Sequence, residues 1–224
     1  MSTKPSAKTN RKRRILLVDD HAIVRDGFAE VIKTHPDLAV CGEAESAAEA
    51  IAAVARLKPD LVVVDLSLQG GSGLDLLKNL KSLHPMMRML VLSMHDEALY
   101  AERALRAGAL GYVMKRQDSA TLLRAIREVL DGRIFLSAPM RDQMLQKVVG
   151  GPRATDDSAA VKFTDREIEV LQLIGEGRTT RQIAQRLHLS ISTVETHRAH
   201  IKRKLNVGNG PELIRAAVEW VQSH

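Results

Sequence analysis

Aromatic side chains, cysteine and long apolar runs are all scarce in this 224-residue chain. Its six aromatic residues are Phe28, Phe135, Phe163, Tyr100, Tyr112 and Trp220, too scattered to build the stacking platform that single-strand and RNA binders use. The one cysteine, Cys41, excludes an internal disulfide and a cysteine-rich metal site. Its apolar neighbours Ala39 and Val40 suggest a buried structural thiol in a reducing compartment. A basic start (Lys4, Lys8 and Arg11 to Arg14) imitates the charged end of a signal peptide, but only the apolar run 15–18 follows before Asp19 and Asp20. That is far short of the roughly 7–15 apolar residues of a signal core or the ~20 of a membrane span. A cytoplasmic protein is expected. With 45% hydrophobic and 27% charged residues, the chain has the composition of a globular protein, and its length suits two domains.

The net charge of +6 is unevenly placed. Residues 1–14 carry 6 basic and no acidic residues, whereas 15–135 carry 14 basic against 17 acidic. Residues 136–160 balance at 3 and 3, and 161–224 carry 10 basic against 7 acidic. An acidic first unit and a basic second one imply different partners for each. The basic start reads either as a disordered, solvated leader or as an arm that touches DNA.

Up to residue 135, short apolar runs alternate with amphipathic stretches. The runs lie at 15–18, 38–41, 61–64, 89–92 and 110–113, each nearly continuous, as in strands buried on both faces. Between them helical patterns are expected at 22–33, 46–57, 74–83, 97–107 and 119–130; the first carries Ile23, Phe28, Val31 and Ile32. Strand and helix repeated five times predict an α/β doubly wound, five-stranded parallel sheet, which binds its ligands at the carboxyl ends of the strands. Residues 136–160 read as a linker with a short helix at 140–149, followed by Gly150, Gly151 and Pro152. From 161 to 224 the pattern is that of a small all-α four-helix domain. Thr164 with Glu167, and Thr179 with Gln182, form capping boxes, and Gly175 and Gly177 end the first helix. Ser190 or Ser192 starts the third helix, and Asn209 with Glu212 opens the fourth.

Asp19 and Asp20 follow the first strand and Asp65 the third, so three carboxylates are expected to converge. Like charges this close repel unless a cation sits among them, and Mg2+ suits an all-oxygen site. Ser93 after the fourth strand and Lys115 after the fifth add a hydroxyl and an amine, a set able to hold a phosphoryl group on a carboxylate. Singly, each has a plainer reading: Asp20 as a helix cap, Ser93 as a turn residue and Lys115 as a surface charge.

The segments Leu17-Val18-Asp19-Asp20-His21, Val64-Asp65-Leu66, Leu92-Ser93 and Gly111-Tyr112-Val113-Met114-Lys115 resemble a flavodoxin-like two-component receiver domain over about 15–131. The resemblance implies that Asp65 is the phosphoacceptor for a sensor histidine kinase. It implies Mg2+ on Asp20, Asp65 and the backbone carbonyl of Ser67, with Asp19 acting partly through water. Ser93 and Tyr112 match the switch pair; Tyr112 would rest half-buried with its hydroxyl in water and rotate inward when Ser93 turns to the phosphoryl group. One departure is present. Where the family commonly has Leu-x-Met-Pro-Gly, this chain has Leu66-Ser67-Leu68-Gln69-Gly70, so a less constrained loop is expected.

Phe163-Thr164-Asp165-Arg166-Glu167, Ile183-Ala184, Leu189-Ser190 and Thr193-Val194-Glu195-Thr196-His197-Arg198 resemble the LuxR-type helix-turn-helix of the NarL/FixJ regulators over about 162–222. Helices at 180–187 and 190–205, joined by a turn at His188 and Leu189, would place the second in the major groove. Candidate DNA contacts are Thr180, Arg181, Ser192, Thr193, Glu195, Thr196, Arg198, Lys202, Arg203 and Lys204, with Arg198 able to reach a base. Glu195 reads either as an acceptor for cytosine or as the N3 member of a capping box with Ser192. His197 and His200 lack a third ligand and read as core or phosphate-facing rather than metal-binding. Leu213, Ala217 and Trp220 on the last helix either form a homodimer contact on DNA or close the bundle.

The implied function is a transcription regulator, controlled by phosphorylation, whose receiver gates the helix-turn-helix. Two other classes give different expectations. A phosphorylation-independent DNA binder would incorporate no phosphate at Asp65. A Mg2+-dependent phosphohydrolase would need a second aspartate two residues after the nucleophile, where this chain has Ser67. No enzymatic activity is expected beyond self-phosphorylation and slow self-dephosphorylation at Asp65.

Overall fold

The computed structural model describes residues 11–68, 71–149 and 163–222. Residues 1–10 of the basic leader, Gln69, Gly70, residues 150–162 with the end of the linker, and residues 223–224 lie outside the described residues. Five parallel strands form the sheet: β1 (Arg13–Val18), β2 (Leu38–Ala44), β3 (Leu61–Val64), β6 (Met89–Ser93) and β7 (Gly111–Met114). Between them a small antiparallel ladder pairs β4 (Ser67–Leu68) with β5 (Gly71–Ser72). The strand order is β2-β1-β3-β6-β7. The chain therefore reverses its direction of winding between β1 and β3, and their carboxyl ends flank the crevice where such sheets bind ligands.

Alternate strand residues serve opposite layers, because side chains along a strand point to opposite faces. Ile15, Leu17, Leu61, Val63, Leu90 and Leu92 pack under α1 (Ala22–Lys33) and α5 (Ser119–Leu130). Leu16, Val18, Val62, Val64 and Val91 pack under α2 (Ala47–Leu57), α3 (Gly73–Leu83) and α4 (Glu97–Arg106). The second cluster continues through Leu136, just before α6 (Ala138–Val149), and Met140 on it, toward the helical bundle.

Three details differ from the sequence reading. β2 is an edge strand that runs to Ala44, so its middle residues are only half-buried, and Cys41 with them. On α1 the buried residues are Arg25, Ala29 and Ile32, while Ile23 is 88% exposed. A guanidinium has taken a place on the face that alternating apolar residues had suggested for Ile23. The helix at α6 begins at Ala138, two residues before the expected start.

The bundle comprises α7 (Asp165–Gly175), α8 (Thr180–Arg186), α9 (Ile191–Leu205) and α10 (Gly210–Gln222). Both capping boxes form, Thr164 with Glu167 and Thr179 with Gln182. Gly177 takes a φ of +77°, which ends α7 as expected. Gly175 serves another purpose: a Cβ there would sit 2.5 Å from the Ala217 carbonyl oxygen, so glycine lets α10 approach. Ile168, Leu171, Ile183, Val194, Ile201, Leu213 and Ala217 form the core, and Trp220 packs against it half-buried.

Candidate functional site

The carboxyl ends of β1, β3, β6 and β7 bring the sequence-identified acids, hydroxyl and amine together. Lys115 Nζ lies 2.6 Å from Asp65 Oδ2 and 2.6 Å from Asp19 Oδ2, with all three side chains nearly enclosed. It is held there because its own N–H donates to the Ser93 carbonyl across the β6–β7 pair. Two of the plainer readings fall away and one holds. Lys115 is not a surface charge, whereas the fully buried Ser93 does act as a turn residue, its hydroxyl oxygen accepting from His95 N–H at 3.3 Å. The residue preceding α1 is His21, with no side-chain cap from Asp20.

Burial pushes the Asp65 carboxyl up, and the Lys115 ammonium opposes that rise. Burial likewise works against the charge on Lys115, yet Asp65 and Asp19 hold its ammonium above the ordinary lysine range. The 2.6 Å contacts set one lysine between two carboxyl groups, so acidic side chains outnumber basic ones in the pocket. Asp65 Oδ1 is buried and accepts no hydrogen bond. One ligand atom from each of Asp19, Asp20, His21 and Asp65 lies within 4.8 Å of all the others. Two or three carboxylates with an unsatisfied inward oxygen fit a hard divalent cation such as Mg2+.

The looser loop expected from the missing proline centres on Gln69 and Gly70, which lie outside the described residues. On either side of them the β4–β5 ladder pairs Ser67-Leu68 with Gly71-Ser72, and Gly73 N–H donates to the Leu66 carbonyl at 2.9 Å. A Cβ at Gly73 would lie 2.3 Å from the Asp65 carbonyl oxygen, so glycine lets α3 start directly beside the phosphoacceptor candidate. Tyr112 also differs from expectation. It is 1% exposed, and its hydroxyl donates to the His95 carbonyl at 3.0 Å instead of reaching water.

Sequence reasoning missed Arg25, His21 and His95. Arg25 donates to the Asp19 carbonyl at 2.7 Å, to Glu43 at 2.8 Å and to Glu45 at 2.9 Å, tying the acid-bearing loop to α1 and the end of β2. Its spacing from Ala29 and Ile32 was the available signal, since positions four and seven apart share a helix face. His21 Nδ1 lies 2.7 Å from Asp20 Oδ1. His95 sits beside Ser93, and its imidazole is held below the usual histidine range by burial.

In the bundle, α8 and α9 are joined through His188, whose φ of +52° makes the tight turn. Ser190, not Ser192, caps α9: its side chain accepts from Thr193 N–H and also contacts the Ser192 and Thr193 hydroxyls. Glu195 is therefore not the N3 residue of a box. Instead its carboxylate accepts from the Thr180 hydroxyl at 2.8 Å and lies 3.8 Å from Arg198. Arg181, Ser192, Glu195, Thr196 and Arg203 are exposed, whereas Arg198 and Lys202 are partly covered. Lys204 is partly covered as well. Its ammonium pairs with Glu167 on α7 and lies 5.9 Å from the centre of the Phe163 ring.

Comparison with known proteins decides the family. Residues 15–127 match the model of the response regulator receiver domain, and residues 161–217 match that of the bacterial regulatory proteins, luxR family. The chain belongs to the NarL/FixJ-type response regulators. It is a phosphorylation-regulated, DNA-binding transcription regulator. It is 34% identical over 210 residues to the oxygen regulatory protein NreC of Staphylococcus haemolyticus, covering 92% of this chain and 97% of the relative. The response regulator ChrA of a heme-sensing two-component system is 31% identical, with a TM-score of 0.51 over 93% of this regulator and 98% of ChrA. The RcsB response regulator of Salmonella typhimurium is 25% identical, with a TM-score of 0.66 over 93% and 98% of the two chains. No helix among the described residues is long and apolar enough to cross a membrane.

Proposed function

We propose that Asp65 of this regulator takes the phosphoryl group from a phosphohistidine of a sensor kinase. The phosphorus–nitrogen bond breaks as the Asp65 carboxylate oxygen forms the new phosphorus–oxygen bond, and the imidazole leaves with the electron pair. The observation that carries the reading is one lysine held 2.6 Å from two buried carboxylates, beside a buried Asp65 oxygen that accepts no hydrogen bond. Asp19, Asp20, Asp65 and the Ser67 carbonyl would hold Mg2+, which when bound neutralises charge on the transferred group. Lys115 supplies a second positive charge, the Ser93 hydroxyl donates to a phosphoryl oxygen, and Tyr112 follows Ser93 as the other half of the switch. Arg25 keeps the Asp19 carbonyl fixed during this exchange.

In this reading residues 15–135 form the receiver, 136–160 the linker and 161–224 the DNA-binding domain, and the regulator works in the cytoplasm. Thr180, Arg181, Ser192, Thr193, Glu195, Thr196, Arg198, Lys202 and Arg203 form the DNA-facing surface of a homodimer on double-stranded DNA. RcsB dimers have been seen bound to DNA, which supports that stoichiometry. Lys204 is left out of the surface because it pairs with Glu167.

The test is incubation of the full chain with Mg2+ and acetyl phosphate, followed by mass spectrometry of the acyl phosphate after hydroxylamine or borohydride trapping. A single labile phosphate on Asp65, absent from Asp65→Asn and from samples treated with EDTA, is expected. Undiminished incorporation in Asp65→Asn would remove Asp65 from its role.

A further inference from the structure

The two units meet beside the phosphoacceptor. Arg103 on α4 pairs with Asp165 at the start of α7 and donates to the Phe163 carbonyl, and Lys78 on α3 lies 3.4 Å from Asp165. A cavity of about 860 Å3 has Asp20, Asp65 and Lys115 on one wall and Arg166, Glu169 and Arg186 of the bundle on the other. Within this junction one side chain touches both units and the reacting loop. His95 Nε2 lies 2.9 Å from the Ser67 hydroxyl, two residues after Asp65, and His95 Nδ1 lies 3.3 Å from Gln172 Oε1 on α7. Its main chain is engaged as well: the N–H donates to Ser93 Oγ at 3.3 Å, and the carbonyl accepts from Tyr112. Its ring stacks at 4.7 Å on Tyr100 of α4.

We propose that His95 is a positioning residue that links the phosphoacceptor loop to α7 through Gln172, so that phosphorylation of Asp65 loosens the junction between the two units. This rests on Asp65 being the phosphoacceptor. With Gln172 Oε1 as acceptor, Nδ1 carries the ring proton and Nε2 accepts from Ser67. The Ser67 hydroxyl has one proton, and Ser93 has one. Phosphoryl oxygens on Asp65 are stronger acceptors than a neutral imidazole nitrogen, because charge-assisted hydrogen bonds are about twice as strong. A hydroxyl that turns to the phosphoryl group leaves His95 without that partner, and a movement of Ser93 or Tyr112 pulls on the His95 main chain. Each route ends at the ring that contacts Gln172.

The experiment measures the distance between units in the full chain, with spin labels at Lys33→Cys and Glu219→Cys in a Cys41→Ala background, before and after acetyl phosphate and Mg2+. Phosphate on Asp65 is counted separately by mass spectrometry. Without phosphodonor, Gln172→Leu is expected to lower the ratio of closed to open chains about fivefold, the worth of one neutral hydrogen bond. His95→Ala should do the same, and the double variant no more than either alone. Gln172→Glu keeps an acceptor for the ring, now a charged one, and should leave the closed fraction at or above the parent's. Phosphorylated parent chains should open to a similar degree, and Gln172→Leu should add nothing to them. Gln172 lies outside the receiver core, so its variants test the link even where His95→Ala unfolds. Additive effects of His95→Ala and Gln172→Leu, or an unchanged distance in Gln172→Leu, would overturn the proposal. Absence of phosphate on Asp65 in the parent would instead refute the phosphoacceptor reading, while the link would still be judged by the unphosphorylated variants.

Discussion

Replacing Arg25 by methionine isolates what a buried guanidinium contributes to an acid-rich site. The residue is 8% exposed, and its three partners differ in burial. The Asp19 carbonyl is buried with it, whereas Glu43 and Glu45 keep 37% and 60% of their side-chain exposure. Methionine retains most of the stem packing. It leaves the Asp19 carbonyl without its donor, at a cost of about 1–3 kcal/mol. The two glutamates can return to water, so losing those pairs adds only about 0–1 kcal/mol each. The sum is about 1–5 kcal/mol, read as a lower urea midpoint at unchanged slope. Arg25→Lys should fall between, because one ammonium cannot keep the guanidinium's three directions. Glu45→Gln, which removes only an exposed charge, should cost under about 0.5 kcal/mol. If Arg25→Met unfolds within about 0.5 kcal/mol of the parent, or Glu45→Gln costs as much as Arg25→Met, the reasoning fails: the carbonyl contact would not be the dominant interaction.

Three further outcomes follow from other contacts. The Tyr100 ring is fully buried but its hydroxyl has no hydrogen-bond partner, so Tyr100→Phe should leave thermal stability unchanged or slightly raised; a loss above about 1 kcal/mol would refute that reading. Burial works to raise the Glu167 carboxyl, but Lys204 and the Thr164 cap outweigh it and hold it below the ordinary glutamate range. A depressed folded-state value means stability that is complete above the unfolded value near 4.3 and is lost as pH falls through the folded one. Urea titrations across that window should show a smaller acid loss in Glu167→Gln; identical pH profiles would exclude this ion pair. Arg203 is exposed on α9, so Arg203→Ala should flatten the dependence of log DNA affinity on log salt by about one unit, whereas an unchanged slope would remove Arg203 from the phosphate contacts.

The strands, helices and acid pocket were legible because each leaves a local mark. Buried parallel strands are apolar runs, amphipathic helices have period 3.6, and Asp19, Asp20, Asp65, Ser93 and Lys115 all directly follow or end a strand. The capping boxes at Thr164 and Thr179 were read from spacing alone and form as expected. What escaped was tertiary. Arg25 went unread because its stabilising partners, Glu43 and Glu45, lie on another element. Ser192 and Glu195 have the spacing of a box, but the cap lies two residues earlier at Ser190, whose side chain accepts from Thr193 N–H. Lys204 has the same charge as Arg203, yet only the packing of α9 on α7 turns it toward Glu167. Tyr112 was expected half-buried with its hydroxyl in water, and the acceptor that holds it inward is a backbone carbonyl, which no side-chain pattern reveals.

The position of the junction narrows how the receiver can act on DNA binding. Its hydrogen bonds to the bundle fall on Phe163, Asp165 and Gln172, at the start and along the length of α7. Meanwhile Arg181, Ser192, Glu195, Thr196 and Arg203, on α8 and α9, are exposed. A receiver that merely covered the recognition helix would bury those residues. The geometry instead favours control of orientation: α7 is clamped beside the phosphoacceptor, and the half-site spacing of a dimer, about 34–36 Å on DNA, is met only when both bundles can turn. A direct consequence separates the two modes. The isolated 161–224 segment, if steric covering were the control, would bind a single half-site much more tightly than the full unphosphorylated chain. Under orientational control the two bind a half-site within about threefold of one another, and phosphorylation raises affinity chiefly for paired half-sites. Fluorescence anisotropy on half-site and full-site duplexes reads both quantities, and a gain of tenfold or more at the half-site on removing the receiver would refute orientational control.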